Sequence, residues 1–172
     1  PGGRVLFINA RAHRDLSCAG SPSDPCSITY VQWFKPYADQ LDNCLPLVEV
    51  VEGEFDALFL LWPKNQVEGE YLLARGLSHL KAGGQVFIAA DNKSGGGRLS
   101  KVMQNFGIDL LQQVSKHKCR FVEGCREDCL HDGANRPDSG IQGPGPMAIQ
   151  TRRLKWSHLF GQVCSVSKVY RV

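Results

Sequence analysis

The first residues with a clear pattern, Arg4-Val5-Leu6-Phe7-Ile8-Asn9, form an unbroken apolar run closed by a polar residue, which predicts a strand buried on both faces. Asp56–Trp62 and Gln85–Ala90 repeat that pattern, and Leu47–Val51 reads as a shorter strand. Between them the rhythm changes. Residues 29–43 place Val31, Phe34, Tyr37, Ala38 and Leu41 near helical spacing, with Pro36 marking a kink or the true helix start. Residues 66–80 predict an amphipathic helix with Tyr71, Leu72, Leu73, Leu77 and Leu80 on its apolar side, ended by a Lys81-Ala82-Gly83-Gly84 cap and turn. Arg98–Phe106 reads as a second short helix, and Leu110–Val114 with Cys119–Val122 as a closing hairpin. Strands alternating with helices imply an α/β fold with a Rossmann-like, mostly parallel sheet and an antiparallel end. The Cys/Ser/Pro-rich residues 17–27 and the Gly/Pro-rich residues 133–146 read as loops, and residues 148–160 could add a strand.

Composition changes this picture little. A chain of 172 residues, 42% hydrophobic and 22% charged, suits one globular domain. No apolar stretch approaches the roughly 20 residues of a membrane helix, and residues 1–20 lack a signal-peptide pattern. Seven irregularly spaced cysteines argue against a disulfide framework and for the cytoplasm. Charge is more informative. Residues 1–90 carry 7 Lys/Arg against 10 Asp/Glu, whereas residues 91–172 carry 13 against 7. That asymmetry points to a basic face for an anionic partner such as RNA, with a solvated mixed surface as the competing reading.

Two stretches carry candidate chemistry. Asn92-Lys93-Ser94-Gly95-Gly96-Gly97-Arg98 follows a strand and opens a helix, where glycine amides can meet an anion. It matches neither the P-loop nor the dinucleotide fingerprint. A plain turn or an RNA-phosphate contact is therefore a better reading than a nucleotide cofactor. Cys119, Cys125, Cys129 and His131 could supply four zinc ligands, but their C-x5-C-x3-C-x-H spacing departs from paired knuckles, and free thiols are the better expectation.

The stretch LFLLWPKNQVEGEYLLARGLSHLKAGGQVFIAADNKSGGGRL, residues 58–99, resembles the amino-terminal half of the ribosomal RNA small subunit methyltransferase C family. The shared pattern is a strand ending in Trp62-Pro63-Lys64-Asn65, a leucine-rich helix, a Gly turn, an apolar strand, then an acidic residue and Asn-Lys-Ser-Gly. Residues 5–11 and the basic segment Val114–Arg120 extend the likeness over roughly residues 4–123. The resemblance implies a class I methyltransferase-type fold and a longer protein. In that protein a carboxy-terminal domain binds S-adenosylmethionine and methylates a guanine N2 of 16S rRNA in the small ribosomal subunit. The amino-terminal half of such enzymes is thought to have lost cofactor binding.

The residues here agree with that division. Cofactor binding calls for a glycine-rich turn after the first strand, but residues 9–16 run Asn-Ala-Arg-Ala-His-Arg-Asp-Leu, with no glycine. Guanine-N2 chemistry calls for Asn-Pro-Pro-Phe/Tyr after the fourth strand, where this chain has Trp62-Pro63-Lys64-Asn65. The expectation is one degenerate, inactive domain over residues 1–172, with a core at 4–123, a loop-rich stretch at 124–147 and a strand or linker at 148–172. Its own catalytic domain, outside this chain, would be its partner. No residue is expected to bind cofactor or metal, or to catalyse. Lys93, Arg98, Lys101, Lys116, Lys118 and Arg120 are the expected contacts to RNA phosphates. A stand-alone RNA-binding or scaffold module and a divergent self-sufficient methyltransferase are the rival readings.

Overall fold

The computed structural model describes residues 3–12 and 27–126. Their elements are β1 (Arg4–Ile8), β2 (Ser27–Val31), α1 (Lys35–Ala38), β3 (Cys44–Leu45), β4 (Phe55–Leu61), α2 (Gln66–Ser78), β5 (Leu80–Asp91), α3 (Leu99–Asn105), β6 (Ile108–Lys116) and β7 (Cys119–Arg126). The seven strands form one sheet in the order β3-β2-β1-β4-β5-β7-β6. β1 to β5 pair in parallel, and β7 runs antiparallel between β5 and β6. The order reverses between β1 and β4, so the carboxyl ends of those strands flank the crevice where open α/β sheets place ligands.

Both faces of the central strands are buried, which is why their sequences run apolar without alternation. On one face Leu6, Leu58, Leu60 and Ile88 pack with Leu73 and Leu77 of α2 and with Leu99 and Met103 of α3. On the other, Phe7, Phe59, Phe87 and Phe121 line up across four strands with neighbouring ring centroids 5.9, 4.5 and 6.2 Å apart.

α2 begins where Asn65 accepts hydrogen bonds from the backbone N–H groups of Val67 (3.0 Å) and Glu68 (3.4 Å). It lies close to the sheet because Gly69 and Gly76 face inward. A Cβ at Gly69 would sit 2.5 Å from the Trp62 ring. Gly69→Ala gains about 1 kcal/mol of helix propensity, whereas overpacking against a wedged indole costs about 1–3 kcal/mol. We expect net destabilisation, seen as a lower urea midpoint. Gly97→Ala, whose Cβ would meet nothing within 4 Å, should leave that midpoint unchanged.

At the opposite end of the sheet, Asp56 accepts from the Arg4 backbone N–H (2.7 Å) and from Lys81 Nζ (2.6 Å). The Lys81 hydrogen bond, then the Arg4 N–H and both positive charges, hold its carboxyl below the usual Asp value. A lowered carboxylate pKa stabilises the fold above the unfolded value of about 3.9 and loses that contribution as pH falls through the folded one. Asp56→Asn should therefore flatten the acid limb of a stability–pH profile and leave its slope near neutrality unchanged.

The structure corrects several sequence expectations. Residues 29–31 belong to strand β2 (Ser27–Val31) rather than to a helix, with β-branched Ile28, Thr29 and Val31 paired along β1; of the two readings of Pro36 the helix start holds, since α1 begins at Lys35 with Pro36 in its first turn. Leu47–Val51 is not a strand: Val48–Val50 form a 3-10 turn, and the third strand is Cys44–Leu45. Tyr71 lies outside the buried face of α2, where its hydroxyl donates to the Glu49 carboxylate. Lys81–Gly84 is no helix cap; α2 ends at Ser78 with His79 as its cap, and those residues belong to an irregular start of β5, with Gly83 at φ 71°. The closing hairpin is present and longer than expected. Most of the loop at 17–27, the whole of that at 133–146 and the strand suggested at 148–160 lie outside the described residues.

Candidate functional site

The carboxyl end of β1 is closed by side chains. Asn9 takes a left-handed φ of 58°, which Asn tolerates better than most residues. Its Nδ2 donates to Leu61 O at the end of β4 (2.8 Å), and its Oδ1 accepts from Gln32 Nε2 (3.3 Å). Gln32, only 1% exposed just beyond β2, also donates Nε2 to Ala10 O (2.7 Å) and accepts the Phe34 N–H on Oε1 (3.0 Å). Three strand ends are thus tied together where a cofactor-binding domain opens a glycine cradle. Ala10 is fully buried, and the Arg11 guanidinium lies 4.6 Å from the Tyr37 ring centroid. These residues do not fit an S-adenosylmethionine site.

Beyond β4, Trp62 extends the strand by donating its N–H to Ala89 O (2.8 Å) and buries its ring against Gly69. Pro63 follows, Lys64 is exposed, and Asn65 caps α2. The Trp-Pro-Lys-Asn stretch therefore ends a strand and starts a helix. Facing it, Asp91 accepts the Lys93 backbone N–H (2.7 Å), Gly95 takes a φ of 90°, and two short 3-10 turns carry the chain to α3. A cleft of about 410 Å³ opens between the two loops, lined by Trp62, Lys64, Asn92, Lys93, Ser94 and Arg98 among others.

The β6–β7 turn, with His117 and Lys118 both at positive φ, closes beside this cleft. Lys118 O accepts the Asn92 N–H (2.8 Å), and Arg120 donates Nη1 to Gly97 O (3.3 Å) and Nε to Ser115 Oγ (3.2 Å). Arg98 Nη1 donates to Gln66 Oε1 (3.1 Å). Lys93, Arg98, Lys116, Lys118 and Arg120 thus gather at one end of the sheet, around the carboxyl ends of β5 and β6. Lys101 is exposed on α3 and does not line the cleft.

The cysteine cluster does not assemble. Cys119 and Cys125 stand six residues apart on β7, about 20 Å at the rise of an extended strand, so they cannot share one ion. Cys119 is buried in the aromatic face and Cys125 Sγ donates to Gly83 O, while Cys129 and His131 lie outside the described residues. The described residues hold no group of three metal-ligating side chains. Sequence reasoning also missed the Asn9–Gln32 network. Its only trace was a polar residue closing each apolar run.

A seven-stranded sheet in this order, with its reversed β7, is a class I methyltransferase-type fold. Residues 14–131 match the family model described as Methyltransferase small domain N-terminal, and the chain belongs to that family. It is 30% identical over 118 residues to ribosomal RNA small subunit methyltransferase C of Acinetobacter baumannii (strain AYE), covering 67% of this chain and 34% of that protein. The protein of the same name from Aeromonas hydrophila is 36% identical over 70 residues, which is 41% of this chain and 20% of that one. The chain spans about a third of the length of the first of these relatives. Among solved structures, the T. thermophilus 16S rRNA N2 G1207 methyltransferase in complex with AdoMet and guanosine superposes with a TM-score of 0.57 at 15% identity, over 74% of this chain and 36% of that one. The ribosomal protein L11 methylase of Lactobacillus delbrueckii subsp. bulgaricus gives 0.57 at 12% identity, over 74% and 71%. At these identities the likeness is one of fold.

Proposed function

We propose that this chain is the non-catalytic amino-terminal domain of an S-adenosylmethionine-dependent 16S rRNA guanine-N2 methyltransferase. It supports folding of its own carboxy-terminal catalytic domain and positions the rRNA of the small ribosomal subunit, in the cytoplasm. The observation that carries the reading is the closure of the β1 end by Asn9 and Gln32, at the place where a methyltransferase fold would hold its cofactor. Cofactor binding and methyl transfer then fall to the catalytic domain. What this domain retains at its ligand-facing end is positive charge, suited to phosphate contacts that orient RNA without reading its sequence. No helix among the described residues is long and apolar enough to cross a membrane.

Equilibrium binding of the 172-residue chain to a 16S rRNA fragment, followed by fluorescence anisotropy across a salt series, tests the RNA-positioning role. We expect binding at low salt that weakens steeply as salt rises. An absence of binding at low salt would remove that role.

A further inference from the structure

The cleft between the Trp62–Asn65 loop and the Asn92–Arg98 turn is lined mainly by polar and cationic side chains. Trp62 is 7% exposed, and its indole Nε1 edge lies beside Gly95, both residues lining the cleft. Around the same space stand the cationic side chains of Lys64, Lys93 and Arg98, the Ser94 hydroxyl and the Asn92 amide. No Asp or Glu is among the described residues that line it, and the Asp91 carboxylate is engaged with the Lys93 backbone. A cleft of donors and positive charge, with no carboxylate in its described lining, suits an acceptor-rich anion.

The geometry narrows the ligand. The Trp62 ring is pressed on α2, where an added Cβ at Gly69 would lie 2.5 Å from it, so the indole offers its N–H edge more than a free stacking face. Recognition at this point is therefore of oxygen atoms rather than of a stacked base. The cleft adjoins the β6–β7 turn with Lys116 and Lys118, which continues the basic surface away from the cavity. A lone phosphate would use the cleft alone, whereas a strand with successive phosphates uses both.

We propose that this cleft binds a phosphodiester of single-stranded RNA, with the Trp62 indole N–H, Lys93 and Arg98 as donors to its non-bridging oxygens. The proposal rests on the RNA-positioning reading above and locates its anchoring contact.

The test is nuclear magnetic resonance of the full chain, following the Trp62 indole N–H, assigned by its loss in Trp62→Phe. It is titrated with an eight-nucleotide RNA, with adenosine monophosphate and with inorganic phosphate. We expect a saturable shift of the Trp62 signal with the octanucleotide, much weaker responses to the two small anions, and about tenfold weaker RNA binding for Lys93→Gln/Arg98→Gln. Trp62→Phe should weaken the RNA less while keeping the fold, judged by its dispersed spectrum. Equal binding of inorganic phosphate or adenosine monophosphate would overturn RNA as the ligand. RNA binding that leaves the Trp62 signal unmoved would overturn the cleft while sparing the RNA-positioning reading. No RNA binding at all would overturn both.

Discussion

Gln32→Ala is expected to destabilise the chain by about 3–5 kcal/mol, a large fraction of the roughly 5–15 kcal/mol that holds a typical domain folded. Gln32 is the one polar side chain fully buried in the described core. Its amide satisfies Ala10 O, the Phe34 N–H and Asn9 Oδ1, drawn from the ends of β1 and β2. Removing it leaves the buried Ala10 O without this donor, at about 1–3 kcal/mol, and takes its acceptor from the part-buried Phe34 N–H. The vacated volume adds a cavity cost. Asn9 would keep its bond to Leu61 O, so the crevice should loosen without opening fully. Urea denaturation with coincident fluorescence and circular dichroism transitions measures the effect. A loss under about 1 kcal/mol would mean that the network is incidental to the fold. Gln32→Glu should be nearly as harmful, because a carboxylate cannot donate to Ala10 O.

Reversing the charge of the β6–β7 turn should produce the largest functional change. The triple variant Lys116→Glu/Lys118→Glu/Arg120→Glu removes three cations from the end of the sheet where the candidate contacts converge. If each neutralises one phosphate, the slope of log affinity against log salt should fall by about two for single-stranded RNA. Affinity at low salt should drop by at least a hundredfold, since like charges then face the backbone. Lys116 and Lys118 are exposed, so their replacement should leave the fold intact. Arg120 is tied to Gly97 O and Ser115 Oγ, so Lys116→Glu/Lys118→Glu serves as the structurally silent companion. Unchanged RNA affinity in both variants would mean that the basic rim is only a solvated surface.

Much of this was legible in the chain, and the reasons differ by element. β1, β4 and β5 announce themselves because burial on both faces forces unbroken apolar runs, and α2 because its leucines recur at helical spacing. β2 was hidden. Ile28, Thr29 and Tyr30 are all only partly buried and Val31 alone is fully buried, so no two-residue alternation shows; Val31 and Phe34 happen to fall three apart, and the period alone favours a helix. β3 is two residues long and carries no pattern of its own; only its pairing with Tyr30 and Val31 defines it. The basic rim was legible as charge asymmetry, but its convergence depends on the β6–β7 turn folding back onto the Asn92–Arg98 segment. Spacing misled at the cysteines, because a strand carries residues 119 and 125 apart. The Asn9–Gln32 tie joins residues 23 positions apart through side chains, which no local pattern encodes. The Trp-Pro-Lys-Asn stretch stood out as the point where an apolar run stops at a proline, yet its caps and contacts emerged only with α2 in place.

Isothermal titration calorimetry of the 172-residue chain with S-adenosylmethionine tests the central claim most directly. With the β1 end closed by Asn9 and Gln32, no saturable heat is predicted up to millimolar cofactor. Saturable binding at a one-to-one ratio would contradict the account and restore this domain as a methyltransferase in its own right.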